Sequence, residues 1–136
     1  MIYDGACHCG FVRFRVEADI DHVRVCDCSI CHQRGALIYR VPDAALTLLT
    51  PLSELSQYEW GSRTAKDYFC PRCGILPFRR PSAPTRQEQA EGVQPFDGWA
   101  INTRCLPGFD PSTVPLRPIY GSRILHDDAS RRSETP

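Results

Sequence analysis

Apolar and charged side chains alternate strictly at residues 12–16, Val-Arg-Phe-Arg-Val, the period of a strand with one face buried. Stretches at 23–26, 37–41, 46–49, 65–69 and 99–106 have similar character and are expected to be strands. Turn signals lie between them: Val41-Pro42-Asp43, Thr50-Pro51, Trp60-Gly61-Ser62 and Leu106-Pro107-Gly108. No stretch of about 12 residues or more carries a helical period. Ser29 to Gly35 supports one helical turn and little more. Residues 80–94, rich in Pro, Ser, Thr, Gln and Glu, read as a polar surface insertion. The pattern therefore predicts an all-β or mainly-β domain over residues 1–124, followed by a polar, flexible tail over 125–136.

Composition narrows this picture. A chain of 136 residues, 42% hydrophobic and 24% charged, suits one soluble globular domain with a core of its own. Sixteen basic and sixteen acidic residues cancel, so no net field favours nucleic acid or an anionic membrane. Lys66 is the sole lysine among the cations, and this Arg bias makes any isolated arginine weak evidence for an anion site. Arg34, Arg40, Arg63 and Arg104 are possible carboxylate partners on that footing. No stretch approaches the roughly 18 apolar residues of a membrane helix. No basic-then-apolar segment of the secretory kind opens the sequence, and the cytoplasm is the expected location.

Eight cysteines change the picture most. In a reducing compartment clustered thiols bind metal or do redox work more often than they form disulfides. Cys7 and Cys9, or Cys26 and Cys28, are too close in sequence to bridge without strain, yet they suit two thiolates aimed at one ion. Phe69-Cys70-Pro71-Arg72-Cys73-Gly74 has the chemistry of a zinc knuckle: a tight turn aims both sulfurs at one ion, Pro71 fixes φ, and Gly74 can take the positive φ of the exit. Ala6-Cys7-His8-Cys9-Gly10 offers the other pair. A zinc held by Cys7, Cys9, Cys70 and Cys73 would close a long loop and contribute on the order of 10 kcal/mol. His8 and Trp60 are then ordinary surface or core residues.

Cys26-Asp27-Cys28-Ser29-Ile30-Cys31 packs three more thiols into six residues. Three protein ligands with an exchangeable fourth position form the pattern of a catalytic zinc, so Cys26, Cys28 and Cys31 are the candidate catalytic residues and ligands of a second zinc. Such an ion would hold an incoming thiol as thiolate or polarise a carbonyl oxygen. Three alternatives remain at this point: closure of the site by His32, closure by Cys105, or a metal-free redox group. Cys105 itself lies on an expected strand and reads as a small buried hydrophobe.

In this order, Gly5-Ala6-Cys7-His8-Cys9-Gly10, the Cys26–Cys31 run and Phe69-Cys70-Pro71-Arg72-Cys73-Gly74, together with Ile101-Asn102-Thr103-Arg104-Cys105-Leu106, resemble the glutathione-dependent formaldehyde-activating enzyme family, which includes centromere protein V. The resemblance implies an Mss4-like, mainly-β, sandwich-like fold with a zinc-bound end. It implies a structural zinc on Cys7, Cys9, Cys70 and Cys73 and a catalytic one on Cys26, Cys28 and Cys31. It also implies carbon–sulfur lyase chemistry of the S-(hydroxymethyl)glutathione synthase kind, with a thiol such as glutathione and a small aldehyde such as formaldehyde as partners. A non-catalytic two-zinc module that binds a macromolecule is the competing expectation, and the balanced charge argues against nucleic acid as its partner.

Overall fold

The computed structural model describes residues 1–123. The expected domain boundary at 124 and the expected tail at 125–136 lie outside the described residues. Ten strands in two sheets and two short helices make the described chain mainly β, as its alternating pattern predicts.

The smaller sheet is built from β1 (Ile2–Ala6), β2 (Arg13–Glu17) and β5 (Leu46–Leu48), in the order β1-β2-β5. The alternation in β2 turns Phe14 and Val16 inward and leaves Arg13, Arg15 and Glu17 outside.

The larger sheet contains β3 (Val23–Cys26), β4 (Ile38–Pro42), β6 (Ser56–Tyr58), β7 (Lys66–Phe69), β8 (Phe78–Arg80), β9 (Gly98–Asn102) and β10 (Leu116–Ile119). Their order is β10-β3-β4-β9-β8-β7-β6, antiparallel except for the parallel pair of β10 and β3. The core fills the space between the sheets: Phe14 meets the edge of Phe78 at 5.4 Å, and Phe78 meets Trp99 at 5.2 Å. Each such ring contributes about 2–3 kcal/mol through burial.

Register decides what the two faces of the large sheet carry. Val41 opposes Trp99, and Tyr39 and Phe78 both oppose Ile101; these point into the core. The residues between them point the other way. Arg24 opposes Ile38, Arg40 opposes Ala100, Ala100 opposes Arg79, and Arg79 opposes Asp67, so all of these share the outer face.

Three sequence expectations need correction. The strand expected over 99–106 ends at Asn102, and Thr103–Cys105 form a 3₁₀ turn. The Asn102 side chain causes the break: its oxygen accepts from the Arg104 N–H at 3.2 Å while its amide donates to the Leu76 carbonyl at 3.0 Å. Residues 80–94 are not a featureless insertion. Arg80 closes β8, and Arg86–Ala90 form a helix, α2, whose capping box pairs Thr85 with Glu88. The strand expected over 46–49 stops at Leu48. The helical turn expected near 29–35 is present as α1 (Ser29–Arg34), closed by the Gly35 N–H on the Cys31 carbonyl.

Candidate metal centres and the cavity beside one of them

Cys7 and Cys9 lie in the turn that leaves β1, and Cys70 and Cys73 in the turn that leaves β7. Each turn closes on a glycine at positive φ, Gly10 at 81° and Gly74 at 79°, which accepts the turn without the steric cost a side chain would bring. The four sulfurs lie within 4.8 Å of one another. The spacings of 3.7 Å between Cys7 and Cys9 and 3.6 Å between Cys9 and Cys70 match the edge of about 3.8 Å that a tetrahedron with Zn–S near 2.3 Å requires.

Backbone N–H groups donate to two of these sulfurs. Val12 donates to Cys7 at 3.2 Å, and Arg72 and Cys73 donate to Cys70 at 3.3 and 3.4 Å. Against the upward push of burial, such donors hold Cys70 low and bring Cys73 to about 6. The group as a whole fits a soft, thiolate-binding divalent ion.

Cys26, Cys28 and Cys31 form the second group, again with sulfurs within 4.8 Å of one another. Cys26 ends β3, Cys28 precedes α1, and Cys31 faces them from its first turn. Hydrogen bonds from Cys28 and Cys31 pull the Cys26 thiol far down, while the same contacts push Cys31 up. Three thiols this close cannot all ionise unless a cation joins them, which is the donor chemistry of a metal site.

Neighbouring groups fix this turn. Asp27 accepts the Ser122 N–H and the Ser122 hydroxyl, both at 2.9 Å, and its own N–H donates to the Ile119 carbonyl. Gly121 lies so close that a Cβ there would stand 2.7 Å from the Cys26 sulfur and 2.9 Å from the Cys28 Cβ. From the other side, Arg34 at the end of α1 donates to Asp67 at 3.1 Å, and Arg79 donates to the same carboxylate at 2.6 Å. Asp67 is 1% exposed, so this pairing ties α1 to the outer face of the sheet.

Among the described residues neither His32 nor Cys105 joins the second group. His32 is exposed. Cys105 is buried, points its thiol toward the Leu76 carbonyl, and is pushed up to about 12 by burial, with Cys7 and Cys73 the nearest thiols.

A cavity of about 190 Å³ opens beside Cys26, Cys28 and Cys31 on the outer face of the large sheet. Ile30 and Ile38 supply apolar wall, Trp60 covers one side, and Ser82, Thr85 and Glu88 from the 80–94 segment cover another. Trp60 is thus a cavity residue rather than an ordinary one. Of the arginines named from sequence, Arg34 and Arg40 line this cavity; Arg63 stands on a loop at φ 62° outside the lining, and Arg104 borders a shallow groove elsewhere. Arg24 and Arg79 line it as well and carry no sequence signal of their own. Only the register of four strands brings them together.

The family model described as "Glutathione-dependent formaldehyde-activating enzyme" matches residues 2–95, a span that includes both cysteine groups. The chain belongs to that family. The mainly-β structure agrees with the Mss4-like fold expected of it. The crystal structure of a Rhodobacter sphaeroides protein is also similar, at 32% identity and a TM-score of 0.65, over 84% of this chain and 99% of that one. No helix among the described residues is long and apolar enough to cross a membrane.

Proposed function

We propose that the protein is a zinc-dependent carbon–sulfur lyase resembling S-(hydroxymethyl)glutathione synthase, joining a thiol such as glutathione to formaldehyde or another small aldehyde. The observation that carries this reading is the Cys26/Cys28/Cys31 group: three sulfurs facing a walled cavity, with no fourth protein donor among the described residues. Cys7, Cys9, Cys70 and Cys73 would hold a structural ion, and Cys26, Cys28 and Cys31 a catalytic one. A zinc ion in the second site would supply Lewis acidity toward a thiol or an aldehyde oxygen.

The chain's own residues do the rest. The three cysteines present one open side to the cavity, the Asp27–Ser122 and Asp67–Arg34 contacts hold their turn rigid, and Trp60, Ile30 and Ile38 restrict water. The net reaction forms one C–S bond between thiol sulfur and carbonyl carbon, and the thiol proton passes to the carbonyl oxygen. A reducing compartment such as the cytoplasm suits eight free thiols.

The purified protein should carry two zinc ions per chain, the one at Cys26/Cys28/Cys31 more easily stripped. It should accelerate S-(hydroxymethyl)glutathione formation above the uncatalysed rate, and Cys31→Ala should remove that acceleration. One zinc per chain, or a Cys31→Ala variant as active as wild type, would overturn the reading.

A further inference from the structure

Four guanidinium groups line the cavity, from Arg24, Arg34, Arg40 and Arg79. Two of them are occupied: Arg34 and Arg79 share the buried Asp67 carboxylate. The guanidinium groups of Arg24 and Arg40 form no ion pair or hydrogen bond with any described residue. Arg40 is steadied by the Phe96 ring, 5.2 Å from its guanidinium carbon. Glu88, the one carboxylate on the lining, lies near Arg40 and caps α2 by accepting the Thr85 N–H at 3.0 Å.

These two cations occupy an unfavourable place. Strand register sets them on the same face of the sheet, where Arg24 is half-buried and Arg40 stands more exposed at the cavity's edge. Two like charges on one wall are stabilised by an anion shared between them. Arginine is suited to the task, since its planar fork grips both oxygens of a carboxylate.

Geometry supplies the spacing. Arg24 and Cys26 sit two residues apart on the same face of β3. A strand rises about 3.3 Å per residue, so their side chains leave the sheet roughly 7 Å apart. A thiol with its carboxylate a few bonds from the sulfur spans that gap. The cavity of about 190 Å³ admits a compact thiol acid or the acidic end of a larger one.

We infer that Arg24 and Arg40 form a carboxylate subsite that selects an anionic thiol as the substrate captured at the Cys26/Cys28/Cys31 group. This inference rests on the proposed thiol chemistry of that group and adds the pair that chooses among thiols. The sequence hides it, because fifteen arginines dilute any single one and only strand register gathers these two.

The test is calorimetric titration of the zinc-loaded protein with 3-mercaptopropionate and with 3-mercaptopropan-1-ol, which differ in the carboxylate alone. The acid should bind about tenfold tighter or better. In the Arg24→Met/Arg40→Met double variant it should bind no better than the alcohol, at unchanged zinc content. Equal affinities in the wild-type protein overturn the subsite while leaving thiol capture standing, and that comparison needs no variant. If neither thiol binds, thiol capture fails, and glutarate then judges the arginine pair alone. Millimolar or tighter glutarate binding that the double variant abolishes upholds the subsite; no glutarate binding overturns it.

Discussion

Gly121→Ala tests whether β10 and the residues after it hold the second cysteine group in shape. The added Cβ would stand 2.7 Å from the Cys26 sulfur and 2.9 Å from the Cys28 Cβ. A comfortable contact is about 3.5–4.0 Å, so the methyl intrudes by roughly 0.8 Å or more. Metal–ligand distances hold to within about 0.2 Å, so the Cys26 sulfur cannot yield that far and still coordinate well. The alternative, withdrawal of β10, would break the paired hydrogen bonds from Ser122 to Asp27. Overpacking of this kind costs about 1–3 kcal/mol. If that cost falls on the site, affinity for the second metal equivalent drops about 5- to 150-fold. Competition with a chromophoric chelator reads both equivalents in one titration, and the cobalt-substituted protein reports the geometry of each site. The first equivalent, on Cys7, Cys9, Cys70 and Cys73, should keep its wild-type affinity. Wild-type affinity for both equivalents, with unchanged cobalt bands and melting temperature, would refute the reasoning.

Cys70→Ala removes a fully buried sulfur from the first group, and with it the proposed metal cross-link, on the order of 10 kcal/mol. That rivals the stability of a whole domain, so no cooperative thermal transition should remain by calorimetry. Asp67→Asn leaves Arg34 and Arg79 without their shared carboxylate at a site 1% exposed. It should cost about 3 kcal/mol in urea unfolding and loosen α1, measured as faster amide exchange across residues 29–34. Asp43 is held below the usual carboxylate value of 3.8, first by the Arg80 hydrogen bond and charge, with Trp99 adding a donor. A lowered folded-state pKa stabilises above the unfolded value and is lost as pH falls through the folded one. The melting temperatures of wild type and Asp43→Asn should therefore differ by a constant amount above about pH 5 and converge below about pH 4.

The cysteine groups were legible because their information is local: a CxC or CxxC turn aims its sulfurs whatever the rest of the chain does. Strand β2 was legible because its two faces have opposite character. Strands β6 and β8 are three residues each, too short to establish a period, and β10 carries Pro118, which fits an edge strand but masks it in sequence. Helix α2 did leave a signal, Thr85 followed three positions later by Glu88, but its five residues hold no apolar periodicity to reinforce it. The cavity left none. Trp60, Arg24 and Arg79 come from separate loops and strands, and nothing in their immediate neighbours distinguishes them.

The same register that fills the core also builds the cavity. In β4, Tyr39 and Val41 point inward while Ile38 and Arg40 point outward; in β9, Trp99 and Ile101 alternate with Ala100; in β8, Phe78 precedes Arg79. A slip of one residue would expose Trp99, Ile101 and Phe78 and bury two arginines, a cost of several kcal/mol for each ring lost and more for each unpaired charge. Core burial therefore fixes the positions of Arg24, Arg40 and Arg79 without depending on what those side chains are. Arg34 and Arg79 are constrained further, because Asp67 is buried between them. Among the described residues the Arg24 side chain has no hydrogen-bond or ion-pair partner, and Arg40 has only the Phe96 ring and the nearby Glu88 charge. Both arginines can be exchanged for other residues at little cost to stability, so substrate preference can change at these two positions while both cysteine groups and the sheet that carries them stay as they are.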